Sequence, residues 1–187
     1  MLIEAGKYIK TGVTETMLCV IAKLDSHATE KLRTLQKAAA SFGVVSSALY
    51  GHITIAAYTP DDDRSFVAGC KELLQGIGPF SVFFDRVEVL SETSIIVAAP
   101  QKNGVLLSVH NKIAARYGPF LDQWTRGDNW YPHTTLLYDP QADLPQICRA
   151  LQEEFSPFDA VVKSIEFSRV TETGYEIVDR IALPDFL

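Results

Sequence analysis

Tyr50-Gly51-His52-Ile53-Thr54-Ile55 and Tyr131-Pro132-His133-Thr134-Thr135-Leu136 carry the same message 81 positions apart. Each reads Tyr-x-His-x-Thr-apolar within a stretch patterned as a strand. Side chains alternate faces along a strand, so Tyr, His and Thr at i, i+2 and i+4 share one face. Two such strands side by side would offer two imidazoles and two threonine hydroxyls to a single cleft. Two of the chain's four histidines are committed to this pattern.

Working outward, the rest of the chain repeats as well. At a constant offset of 78, Leu35 meets Ile113, Phe42 meets Phe120, Cys70 meets Cys148 and Leu73 meets Leu151. Pro79-Phe80 then meets Pro157-Phe158, Val87 meets Ile165 and Glu88 meets Glu166. A register kept across several elements marks a duplication. The spacing predicts a strand over 16–22 and a helix capped by Asp25 or Ser26, with Ala28, Leu32, Leu35, Ala39 and Phe42 as its apolar stripe. A strand over 50–58 follows, continuing the His52 face to Tyr58. Next comes a helix from about Asp63 striped by Phe66, Cys70, Leu73 and Ile77 and stopped by Gly78-Pro79. Strands over 80–89 and 94–100 come next. The second half offers a helix striped by Leu106, Val109, Ile113 and Tyr117, a strand over 131–138, a helix over 143–155, and strands over 158–168 and 175–183.

Short loops join the late strands of each half, which favours an α+β fold over a doubly wound parallel sheet. The expected architecture is a duplicated two-lobe fold, with antiparallel or mixed sheets facing a central cleft and helices on the outside. Residues 1–187 read as a single bilobal domain with pseudo-repeats of approximately 16–93 and 94–183.

A net charge of −6 argues against duplex DNA as a partner, since that needs a broad basic surface. Cys19, Cys70 and Cys148 fall at apolar positions, so they are read as buried small hydrophobes in a reducing compartment. Neither a signal-peptide pattern nor a run of about 18 apolar residues occurs, so a cytoplasmic protein without a membrane partner is expected, as a monomer.

The paired strings suit phosphate ester chemistry. In-line attack on a cyclic phosphodiester needs one proton removed from the attacking oxygen and one given to the leaving oxygen, on opposite sides of phosphorus. Two histidines can divide that work because their ordinary pKa of about 6.5 sits near working pH. Two threonine hydroxyls can stabilise charge building on the non-bridging oxygens. His27 and His110 fall in helix patterns without a partner at metal spacing, and no HExxH, paired-cysteine or Gly-rich phosphate loop occurs. No metal and no cofactor are therefore expected.

The two His-x-Thr-apolar strings, one in each of two similar halves, resemble the mark of the two-histidine (2H) phosphoesterase superfamily. Within it, the size and arrangement look most like the 2′-5′ RNA ligase-like proteins and cyclic phosphodiesterases. The resemblance implies cleavage, or reversible ligation, of 2′,3′-cyclic or 2′-5′ linkages in nucleotides or RNA ends. It implies His52 and His133 as catalytic residues and Thr54 and Thr135 as phosphate-binding ones, with His133 as base and His52 as acid in cyclic phosphate hydrolysis. Tyr50 and Tyr131 share the histidine face and are candidate substrate contacts, with packing as the other reading. Arg126, in the loop Gln123–Trp130, is a further candidate contact, whereas Trp130 alternates away from His133 and should pack inward. The rival reading is a non-catalytic nucleotide- or RNA-binding module on the same fold.

Overall fold

The computed structural model describes residues 3–4, 7–10, 13–42, 51–60, 62–171 and 174–184. Three short strands, β1 (Ile3–Glu4), β2 (Lys7–Lys10) and β3 (Val13–Thr16), form an antiparallel meander. The main body follows as β4 (Leu18–Leu24), α1 (Ser26–Ala40), β5 (His52–Tyr58), α2 (Asp63–Leu73), β6 (Phe80–Val89) and β7 (Ile95–Pro100). It continues through α3 (Gly104–Tyr117), β8 (Thr134–Tyr138), α4 (Leu144–Glu154), β9 (Phe158–Thr171) and β10 (Gly174–Ala182).

One seven-stranded sheet holds the body together in the order β5-β4-β9-β6-β7-β8, with β10 on β9. Every assigned pairing among the described residues is antiparallel, as the short-loop hairpins suggest. The long strand β9 is the spine. One of its edges takes β4 over residues 162–169, while the other takes β6 over 158–162 and β10 over 164–171. The β6–β9 pairing centres on Val82 opposite Ala160, and Phe80↔Val162 and Phe84↔Phe158 flank it evenly. These positions interchange under the 78-residue offset, so a pseudo-two-fold axis runs through that pair. The first strand of each repeat pairs across: β4 joins β9, and β7 joins β6.

The helices cover the outer faces. Helix α1 lies on β8 beside α4, and α3 lies on β5 beside α2, so each helix following a repeat's first strand covers the other half's sheet. Ala28, Leu32, Leu35 and Ala39 of α1, Phe66 and Cys70 of α2, and Leu106, Val109 and Ile113 of α3 enter one continuous core. All three cysteines are buried and free. Phe42 departs from the expected stripe: α1 ends at Ala40, and Phe42 lies beyond it with 43% exposure. Among the described residues, no helix is long and apolar enough to cross a membrane.

Asp25 ties the start of α1 to the spine. Its Oδ1 accepts from the Ala28 N–H at 3.0 Å and its Oδ2 from the Val161 N–H at 2.6 Å, while its own N–H donates to the Val161 carbonyl. Burial works to raise its pKa, but backbone N–H bonds from Ala28, Val161 and His27 outweigh it and hold the carboxyl below its ordinary value. A carboxyl with a depressed folded pKa stabilises above its unfolded pKa and loses that contribution as pH falls through the folded value. Asp25→Ala should therefore cost about 1–2 kcal/mol in denaturant unfolding at pH 7, and the gap should close in acid as wild type loses the same bonds.

Candidate functional site

The two histidine strands carry the same irregularity at the same place. Along β5, Ile21 stands opposite Thr54 and Val20 opposite Ala56, which leaves Ile55 as an extra residue. Along β8, Val97 stands opposite Thr135 and Ile96 opposite Leu137, which leaves Leu136 extra. The apolar letter that ends each motif is thus a β-bulge, with its side chain driven into the core at 0% and 1% exposure. A bulge leaves a backbone group out of the ladder and bends the strand. The Ile55 carbonyl takes the His110 Nδ1–H at 2.9 Å, and in the second motif the Thr135 carbonyl takes the Gln36 side-chain amide at 3.0 Å. His110 is therefore a buried structural residue, its ring stacked 4.0 Å from that of Trp130.

The bulge also corrects one expectation. Past Ile55 the alternation slips by one, so Tyr58 leaves the His52 face, enters the core and stacks on Phe66 at 4.0 Å. Ala57 takes the cleft side instead, beside Met17, Cys19 and Ile21 in a small separate apolar cluster.

Segment 118–134 runs along the outer edge of β5 and seals it. Leu121 bridges to Tyr58, and the Asp122 N–H donates to the Ala57 carbonyl at 2.8 Å. Thr125 Oγ1 accepts the Ala57 N–H at 3.0 Å, and the Trp130 indole N–H donates to the Thr54 carbonyl at 2.9 Å. At the end of this strap the Thr134 hydroxyl donates to the His52 carbonyl at 2.7 Å, which joins β8 to β5. Trp130 packs inward, 9% exposed. The Arg126 guanidinium donates to the carbonyls of Leu121, at 2.6 Å, and Pro119, at 3.3 Å, which braces the strap.

His52, Thr54, His133 and Thr135 are all half-buried. Cross-strand partners share a face, so the registers show what stands beside each motif. Beside the first motif, Thr54, Ile21 and Glu166 form one row and His52, Lys23 and Ser164 the next. Beside the second motif, Thr135, Val97 and Glu88 form the matching row. A glutamate thus lies two strands from the motif threonine in both copies. Glu166 is fully buried and pairs with Arg180 at 2.6 Å. Glu88 is part-exposed and bonds the Tyr131 hydroxyl and, at 3.1 Å, Arg86 Nε. The Glu88/Glu166 coincidence in the repeat is the sequence signal for this row; Arg86 and Lys23 carry no such signal.

His133 Nδ1 lies 2.7 Å from the Tyr131 carbonyl oxygen. A carbonyl can only accept, so Nδ1 carries the hydrogen and Nε2 the lone pair. Burial holds the ring's pKa below its ordinary value, against the opposing effect of that carbonyl. The strand begins at Thr134 and not at Tyr131 as expected, because Pro132 has no N–H to give a ladder. Tyr50 lies outside the described residues. Among the described residues, no three His, Cys, Asp or Glu side chains gather as a metal site would need.

Comparison with known proteins agrees with this geometry. TT0787 of Thermus thermophilus superposes with a TM-score of 0.67 at 14% identity, covering 89% of this chain and 97% of that one. Apo LigT of E. coli gives 0.66 at 14% identity over 91% and 99% of the two chains. LigT complexed with 3′-AMP gives 0.64 at the same identity and coverage. At that identity the likeness concerns the fold, and no curated protein matches in sequence. The family model of the 2′-5′ RNA ligase superfamily matches residues 21–174, most of the chain and both histidine motifs, and the chain belongs to that superfamily.

Proposed function

We propose that this protein is a metal-independent phosphoesterase that cleaves, or in reverse joins, 2′,3′-cyclic or 2′-5′ linkages in nucleotides or RNA ends. The observation that carries the reading is the bond from Thr134 Oγ1 to the His52 carbonyl, which brings two identically bulged His-x-Thr strands together. In cyclic phosphate hydrolysis, neutral His133 takes a proton from the attacking water through Nε2. His52, protonated, gives one to the ribose oxygen as its bond to phosphorus breaks. Thr54 and Thr135 donate to the non-bridging oxygens, where charge accumulates. The lowered pKa of His133 suits the base, because the ring is then neutral and ready to accept at working pH. Tyr131 stands beside His133, its hydroxyl taken up by Glu88 and Arg86. Arg126 retains donors beyond its two carbonyl bonds for a phosphate. The fold-mate LigT complexed with 3′-AMP supports a nucleotide substrate.

A panel of 2′,3′-cyclic nucleotides and 2′-5′ and 3′-5′ dinucleotides, with products identified by mass spectrometry, tests the reading. Turnover of the 3′-5′ linkage alone, or tight binding without any product, would overturn it. His52→Ala and His133→Ala should each lower kcat by about 10²–10⁴-fold with the circular dichroism spectrum unchanged. Thr54→Val and Thr135→Val should each cost on the order of 10²-fold.

The pH dependence has a defined sign. A histidine whose folded pKa is lowered stays neutral below the ordinary value of about 6.5, so the acid limb of kcat/KM should fall below that pH. The unfolded chain takes up that proton first, so the same shift makes stability decline as pH drops beneath about 6.5. An acid limb clearly above 6.5 would remove His133 from the role of base.

A further inference from the structure

We propose that Arg86 and Glu88 on β6, acting through Tyr131, are positioning residues that fix the orientation and tautomer of His133. The proposal rests on the catalytic reading of His133 and extends it to the groups that hold Tyr131.

The backbone around His133 needs such support. His133 precedes the first residue of β8, so the ladder that holds Thr134 and Thr135 against Ala98 and Val97 does not reach it. Its ring is oriented by the Tyr131 carbonyl, 2.7 Å from Nδ1. The direction of that carbonyl depends on how Tyr131 is held. Pro132 restricts the residue before it to extended backbone, which narrows the choice without completing it. The Tyr131 side chain completes it. Its hydroxyl donates to Glu88 Oε1 and accepts from Arg86 Nη2 at 2.9 Å and Nε at 3.3 Å. Arg86 is in turn fixed by Asp85 Oδ1 at 2.6 Å and Glu88 Oε1 at 3.1 Å. One residue upstream, the Trp130 indole is anchored on the Thr54 carbonyl. Residues 130–132 are therefore pinned to β5 on one side and β6 on the other, and the peptide between the pins carries the acceptor that sets the tautomer. If the tyrosine swings, Nδ1 loses its acceptor, and the proton can move to Nε2, the atom that must accept from water.

Long-range ¹H–¹⁵N spectra of the histidine rings near pH 8 read the tautomer without any substrate. Wild type should show His133 with the hydrogen on Nδ1. Tyr131→Phe and Glu88→Leu should shift the population toward the Nε2–H form and lower kcat by about 10- to 100-fold with KM within about twofold. Glu88→Gln should stay close to wild type, because its amide oxygen still accepts from the phenol. An unchanged tautomer in Tyr131→Phe overturns the proposal. So does a rise in KM at constant kcat, which would make Tyr131 a direct substrate contact. Should Glu88→Leu fail to fold, Tyr131→Phe, which removes a single oxygen, decides alone. If wild type turns over no member of the substrate panel, the catalytic reading fails, while the tautomer spectra still decide the positioning claim.

Discussion

The hydrogen bond from the Thr134 hydroxyl to the His52 carbonyl is the constraint on which the rest of the molecule depends. Strands β5 and β8 sit at opposite ends of the sheet, so each exposes an edge of unpaired backbone groups. The strap from Leu121 to Thr134 meets the outer edge of β5 group by group, through Asp122, Thr125, Trp130 and finally Thr134. Each of these bonds answers a polar group that would otherwise be buried without a partner, at a cost of about 1–3 kcal/mol. The strap that satisfies the β5 backbone also ties the strand of His52 to the strand that follows His133.

That economy explains the form of the motif. Thr134, the residue between the histidine and the motif threonine, is 2% exposed and makes the interstrand bond, so its neighbours on either side face the other way. The apolar residue that ends each motif is the bulge, and it turns the strand while plugging the core. A sequence pattern that reads as purely chemical is half structural.

The α+β class and the placement of most helices are legible because they depend on local periodicity. What escapes depends on register. A bulge has no signature in apolar alternation, so alternation alone puts Tyr58 on the wrong face. Phe42 fits the helical spacing, yet α1 ends at Ala40 and leaves the ring on the surface. The partners of the Tyr131 hydroxyl come from β6, and Arg86 lies 45 residues before the Tyr131 it holds, a separation that no spacing rule connects. Trp130 is readable because alternation from His133 is short and uninterrupted.

The repeated motif poses a difficulty for the proposed acid–base reading, and the surroundings of the two copies differ. Two equivalent histidines would titrate alike, whereas acid–base work needs one protonated and one neutral. The rows beside them have diverged. At the position equivalent to Arg86, the row of His52 carries Ser164, and the cation in that row is Lys23 on β4. The glutamate common to both halves is fully buried under Arg180 in one and part-exposed beneath Tyr131 in the other. The two histidines therefore stand in rows of different charge and burial. On the proposed reading the repeated strands present one acid and one base to a single phosphate, and the side chains in the rows beside the two motifs are what differ between them.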